Sequence, residues 1–284
     1  MKTLKNKIAL VTGASRGIGK GIAKGLAEKG ATVYITGRTT DEDNKDAKLS
    51  GTINQTAKKV NELGGIGIPY KCDHRNDEEV EALFKKIEKE QGKLDILVNN
   101  VWAGYENIYN VKKPEDYIFE NNFWELPNKI WDDMFDIGLR SHFVASKLAV
   151  PLMLKNKQGL IVNISFYAGQ TYISNVPYGV VKSAVDRLSV DMAYELKEYG
   201  ITSISLYPGL VRTEGVMRNK DFIDLSNSGS PLFIGRAVAA LAEDKKVIEK
   251  SGQVLIAAEL AEEYNFTDID GTQPRSLRDI YLDT

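Results

Sequence analysis

The sequence predicts a doubly wound α/β fold, seven parallel strands with helices on both faces, and three observations carry that expectation. Short β-branched runs recur between helix-length stretches along the 284 residues. Most of these runs are apolar throughout rather than alternating, which is how strands buried on both faces of a parallel sheet read. A glycine-rich turn, Thr12-Gly13-Ala14-Ser15-Arg16-Gly17-Ile18-Gly19, stands where the first run gives way to the first helical stretch.

In chain order, the strand runs are Ile8–Thr12, Ala31–Thr36, Ile66–Cys72, Leu94–Val98, Leu160–Ile164, Ile201–Tyr207 and Gln253–Ile256. The first helix is expected from Gly17 to Lys29, ending at Gly30, a residue suited to a left-handed cap. Another begins near Asp77 and ends by Gly92. Pro177 precedes a long amphipathic helix with Val181, Val185, Leu188, Met192 and Leu196 on one stripe, closed by Gly200. Ser230-Pro231 pairs a capping residue with a first-turn proline, so a further helix starts there. No internal repeat or composition break interrupts the alternation. The expectation is one domain over residues 1–284, with insertions near 39–50 and 104–125 and a lid near 214–229. The second insertion carries Tyr105, Tyr109, Tyr117, Phe119, Phe123 and Trp124. Those aromatics either pack on one another at the surface or line a substrate site.

The composition excludes several classes. It is 43% hydrophobic and 27% charged, which supplies a large core and rules out wholesale disorder. A formal charge of −2 leaves no cationic excess to bind a phosphate backbone, so nucleic acid is not an expected partner. Cys72 is the only cysteine, and His74 and His142 the only histidines, so neither an internal disulfide nor a zinc cluster is expected. Cys72 reads as a packed strand end and His142 as a helix-packing or surface residue. The opening residues MKTLKNKIALVTG lack the apolar core of a signal peptide, and no run of 18 apolar residues occurs. A reducing, cytoplasmic setting without a membrane span is the resulting expectation.

The glycine turn is the strongest chemical signal. Glycines there allow a tight turn and close approach to a pyrophosphate, while the helix N-terminus offers free N–H groups and a positive dipole end. Glycines also serve purely structural turns, and it is the strand–turn–helix position that favours a dinucleotide. Candidate contacts are Gly13, Ser15, Arg16, Gly17, Ile18 and Gly19. NAD enzymes of this architecture place an acid about 20 residues later, on the ribose 2′-hydroxyl. Here the second strand ends Thr36-Gly37-Arg38-Thr39, without one. Arg38, with Arg16, can instead bond a 2′-phosphate, which points to NADP(H), the alternative being two solvated surface charges. Tyr178 and Lys182 stand at i and i+4 on one helix face. Such a pair is common by chance, but beside a dinucleotide a lysine that lowers the phenol pKa makes the tyrosine a usable acid and base.

Together these motifs resemble the short-chain dehydrogenase/reductase family over about residues 5–260. The resemblance implies a Rossmann-type domain, with Asp73 as an adenine contact and Asn99 in a turn, Asn99-Asn100-Val101-Trp102-Ala103-Gly104, similar to the family's Asn-Asn-Ala-Gly. It also implies that Pro208, Gly209 and Val211 line the nicotinamide and that Thr213 contacts its carboxamide. FWELPNKIWDD, IGLRSHF, NVPYGVVK and SLYPGLVRTE resemble the dehydrogenase/reductase member 1 subgroup, which implies reduction of ketones such as steroids or xenobiotics. Family members pair through the helix that follows Pro177, so a homo-oligomer is expected, with Ala184, Leu188 and Ala193 among its apolar or small residues.

Two family positions depart. The serine that should follow the strand Leu160–Ile164 is Phe166, and Ser165 beside it becomes the third catalytic candidate. Regular strand alternation turns Ser165 away from the cleft unless the strand ends early or bulges, in which case Tyr167 or a water is the substitute. The asparagine that would help hold a proton-relay water is Gly138. Two functions therefore stand. One is a reductase passing hydride from NADPH to a carbonyl, with Tyr178 protonating the oxygen and Lys182 holding the ribose. The other is an NADP-binding sensor with weak turnover.

Overall fold

Every predicted strand run forms a strand, and all seven join one parallel sheet in the order β3-β2-β1-β4-β5-β6-β7. The computed structural model describes residues 2–40, 49–103 and 121–282. The strands are β1 (Ile8–Val11), β2 (Thr32–Gly37), β3 (Ile66–Lys71), β4 (Ile96–Asn99), β5 (Gly159–Ile164), β6 (Ile201–Tyr207) and β7 (Val254–Ile256). The helices are α1 (Gly17–Glu28), α2 (Ile53–Glu62), α3 (Asp77–Gln91), α4 (Asn128–Phe135), α5 (Ser141–Leu154), α6 (Val176–Leu196), α7 (Glu214–Arg218), α8 (Pro231–Glu243), α9 (Ala257–Glu263) and α10 (Arg278–Tyr281). A π-helical turn, Asp136–Arg140, joins α4 to α5.

The inner strands are buried along their whole length, as their unbroken apolar runs imply, whereas β3 at one edge leaves Ile66 58% exposed. One apolar cluster fills the face covered by α1, α2 and α8, and a second fills the face covered by α3 and α5. The chain leaves β1 toward β2 and β3, then returns to place β4 on the other side of β1. That reversal opens a crevice outside the carboxyl ends of β1 and β4, where ligands bind in open α/β sheets. No helix among the described residues is long and apolar enough to cross a membrane.

Helix ends follow the sequence closely. Gly30 has φ of +87°, the left-handed turn expected after the first helix. Asn175 and Ser230 accept hydrogen bonds from the first turns of α6 and α8, with a proline at the start of each. Helix α2 was not anticipated, although Thr52 and Gln55 form a full capping box at its start. The segment Glu214–Gly229 leaves and returns through one neck, where Val211 bridges Gly229 and the Arg212 guanidinium holds Ser228 and Asp268. Phe123 and Trp124 are exposed and meet edge to face, and the other aromatics of that insertion lie outside the described residues.

Helices α1 and α8 approach so closely that glycine is required at their crossing. A Cβ on Gly25 would lie 2.2 Å from the backbone carbon of Gly235, and one on Gly21 1.9 Å from the Pro231 carbonyl oxygen. Both helices are fixed by the sheet beneath them, so neither can retreat freely. Gly25→Ala is expected to cost at least about 2 kcal/mol through overpacking. A thermal melt should therefore begin several degrees earlier, and an unchanged melt would contradict this packing.

Candidate active site

The glycine turn is shaped by contacts that exclude side chains. Gly13 and Gly17 have φ of +63° and +56°, and a Cβ on Gly13 would lie 2.8 Å from the Cα of Val101. Asn100 donates from its side-chain amide to the carbonyls of Thr12 and Gly13 at 2.9 and 3.0 Å, tying the end of β4 to the turn. The same amide would meet a Cβ on Gly19 at 2.5 Å. The Asn-Asn doublet marks this turn in the sequence, which assigns a cofactor contact to Asn99 alone, whereas it is Asn100 that ties β4 to the glycine turn.

An anion already occupies the start of α1. The Glu214 carboxylate accepts the Gly17 N–H at 2.7 Å and pairs with Lys20 at 3.4 Å. It stands where free N–H groups and the helix dipole favour negative charge, as a pyrophosphate would. Thr213, one residue earlier, packs over Gly17. The glycine-lined cradle and this stand-in carboxylate fit a dinucleotide, with Ser15 and Ile18 buried or half-buried in the same turn.

The tip of β2 gathers the two arginines. Arg16 donates to the carbonyls of Ser50 and Gly51 and reaches the Thr39 hydroxyl, so it lies beside the residue that follows exposed Arg38. Asp73, after β3, accepts the Arg75 N–H, and its own N–H donates to Glu79. Pro208 and Gly209 follow β6 in half-buried positions, and Val211 is buried where it bridges Gly229.

Helix α6 brings Tyr178 and Lys182 to the carboxyl end of β5. The Lys182 ammonium lies 5.9 Å from the centre of the Tyr178 ring and donates to the Ile164 carbonyl at 3.2 Å. It also sits 4.2 Å above the Trp102 ring. Burial pulls its pKa down to about 8, and Asp186, one turn further along α6, opposes that shift. Trp102 meets Tyr178 edge to face at 5.7 Å, and Phe166 packs against Tyr178 at 6.2 Å. Ile130, Met134, Leu126 and Ile173 complete an apolar wall around the tyrosine.

Strand β5 ends at Ile164, yet Ser165 keeps the alternation: its N–H still bonds the Leu206 carbonyl, and its side chain faces α6 as that of Asn163 does two residues earlier. Its hydroxyl donates to the Lys182 carbonyl at 3.3 Å and is buried. Tyr167 is fully buried, with its hydroxyl accepting the Leu277 N–H and its ring against Tyr207 and Tyr281. Beneath the site runs a buried polar layer. The Asn99 amide donates to Ser146, Asn163 and the His142 carbonyl, Asn163 donates to Ser189, and Ser189 meets Ser205. Desolvation, aided by the Lys182 charge, drives the His142 pKa to about 3, so the ring stays neutral. Burial, with Glu79 and Asp73 nearby, pushes the Cys72 thiol up to about 12, which leaves it unreactive.

Comparison with known proteins agrees with this geometry. Residues 7–223 match the family described as short chain dehydrogenase. The chain is 41% identical to mouse (Mus musculus) "Dehydrogenase/reductase SDR family member 1", across 94% of this chain and 85% of that protein. It is 33% identical to the 7alpha-hydroxysteroid dehydrogenase of Paraclostridium sordellii, across 90% of this chain and 91% of the relative. Among solved structures, a 7 alpha-hydroxysteroid dehydrogenase complexed with NADH and 7-oxo glycochenodeoxycholic acid superposes with a TM-score of 0.72 at 27% identity, covering 96% of this chain and 97% of that one. The family match runs from β1 through the Tyr178–Lys182 helix to the residues after α7, and the chain belongs to the short-chain dehydrogenase/reductase family.

Proposed function

We propose that this oxidoreductase uses NADP(H) and acts on a ketone, an aldehyde or a secondary alcohol carried by a small apolar molecule. The observation that carries the reading is the Lys182 ammonium held beside the Tyr178 ring at the crevice where a dinucleotide fits. When bound, the nicotinamide supplies or accepts the hydride. Tyr178 donates its phenolic proton to the carbonyl oxygen in reduction and takes it back in oxidation. Lys182 favours the phenolate by its charge and is placed to hold the ribose. The apolar wall of Trp102, Phe166, Ile130 and Ile173 orients an apolar substrate and keeps water away. Relatives named for a hydroxysteroid support a secondary alcohol or ketone on an apolar frame. Asp73, Pro208, Gly209, Val211 and Thr213 remain candidate cofactor contacts, and the segment Glu214–Gly229, with exposed Met217 and Phe222, is the proposed lid.

The reading includes one domain spanning the sheet and a homo-oligomer. Exposed Phe143 on α5 and exposed Val180 and Val190 on α6 give these neighbouring helices an apolar outer face. Ala184 and Leu188 are half-buried on α6, whereas Ala193 packs inward and adds nothing to that face.

One observation favours the sensor reading. The Ser165 hydroxyl donates to the Lys182 carbonyl, and Phe166 takes the family's serine position, so that position supplies no hydroxyl to a developing oxyanion. Losing one such donor costs about 10²–10³ in rate. Turnover slower than that of serine-bearing relatives fits this arrangement.

Four outcomes test the proposal. Tyr178→Phe should abolish NADPH-dependent carbonyl reduction while leaving NADPH affinity within about twofold, since the phenol acts in the transition state. In the unaltered protein, reduction should fall as pH rises through about 8, because Lys182 carries its charge below that value and loses it above. A rate flat from pH 6 to 10 would contradict the role of Lys182.

NADPH should bind more tightly than NADH in a fluorescence titration, with Arg38→Ala removing most of the difference, as expected for a charge-assisted phosphate contact. Equal affinities in the unaltered protein would rule out the NADP assignment.

Glu214→Gln should tighten NADPH binding by roughly two- to tenfold, because the pyrophosphate no longer displaces a carboxylate from the helix terminus. Unchanged or weaker binding would show that Glu214 does not compete.

A further inference from the structure

Gly138 and Trp102 explain one another. Gly138 is buried in the π-helical turn between α4 and α5, and a Cβ there would lie 2.4 Å from Cζ3 and 2.7 Å from Cε3 of Trp102. In this arrangement a side chain at 138 and the indole at 102 exclude each other. Position 138 is where the family resemblance places an asparagine that helps hold a relay water. The indole lies there instead, with the Lys182 ammonium 4.2 Å above its ring and the Tyr178 ring against it.

We propose that Trp102 is a positioning residue that replaces the asparagine by acting through Lys182, holding the ammonium against the Ile164 carbonyl with its ring face. This inference rests on the proposed roles of Tyr178 and Lys182. An aromatic face attracts a cation most where water is excluded, and Lys182 is 6% exposed. Of the other groups facing Lys182, only Asp186 also favours its charged form. His142, from α5, is neutral. Asp186 is buried on α6 itself and shares its charge with the Tyr207 hydroxyl at 2.5 Å. Tyr178 is the group being served. Trp102 therefore provides partial negative charge on the side of Lys182 that the turn at Gly138 would otherwise leave open.

The test needs one readout independent of turnover. The chain has three tryptophans, so Trp124→Phe with Trp131→Phe leaves Trp102 as the sole indole. Its emission, followed from pH 6 to 10 without ligand, should change with a midpoint near pH 8 as Lys182 loses its proton, and the change should vanish in Lys182→Met. A flat emission, or a change that survives Lys182→Met, overturns the placement. If NADPH binds and no carbonyl turns over, the proposed function fails while this titration still decides the contact.

With an accepted carbonyl, Trp102→Leu should move the alkaline limb of the rate profile down by about one pH unit, and Trp102→Phe by less than half of that. Gly138→Asn alone should lose at least about tenfold in kcat, and Gly138→Asn combined with Trp102→Ala should recover most of it. An unmoved limb in a Trp102→Leu protein of normal melting temperature overturns the proposal, as does a double variant no better than the product of the two single losses.

Discussion

A buried ammonium organises this molecule. Lys182 lies almost wholly out of water, and leaving such a charge without partners would cost several kcal/mol, on the order of what a domain has to spare. Its surroundings are arranged accordingly, with a backbone carbonyl at the end of β5, an aromatic face from the turn after β4 and a carboxylate one helical turn away. None of these neutralises the lysine completely, which is why its pKa falls while its charge survives at neutral pH. A charge held in that state is available to a phenol beside it.

The support for that arrangement comes from below. Helix α6 is fastened to β6 through Tyr207 and Asp186 and through Ser189 and Ser205, and to β5 through Asn163. Asn99 extends the same layer to α5, so the helices that shape the site are tied to the central strands by buried hydrogen bonds. Such bonds are strongly directional and costly to leave unmade, so they fix the register of α6 against the sheet. At the other end of the crevice, the Glu214 carboxylate satisfies the first turn of α1. The segment after Thr213 and the glycine turn are thereby linked electrostatically before any ligand arrives.

Much of the fold was legible because its signals are local. Apolar runs marked the strands, glycine and proline marked the helix ends, and the Gly13–Gly19 turn fixed the position of the crevice. The exposed face of β3 was not legible, since edge position is a property of the sheet and not of the strand. Tyr178 and Lys182 were readable because a helix places i and i+4 on one face. Trp102 and Glu214 were not, because each acts on residues far away in sequence that only the tertiary packing brings near. Gly138 was visible as a departure, but its reason lies in an indole 36 positions earlier in the chain. Ser165 shows the opposite case: regular alternation, legible in the strand run, turns its hydroxyl with Asn163 toward α6, where it meets the Lys182 carbonyl.

The account stands or falls on hydride transfer at this site. Incubating the protein with NADPH deuterated at the nicotinamide C4 and a panel of apolar ketones, followed by mass spectrometry of the products, reads that step directly. The account predicts deuterium on the carbinol carbon of at least one product and none in the Tyr178→Phe protein. NADPH binding without deuterium in any product would contradict it.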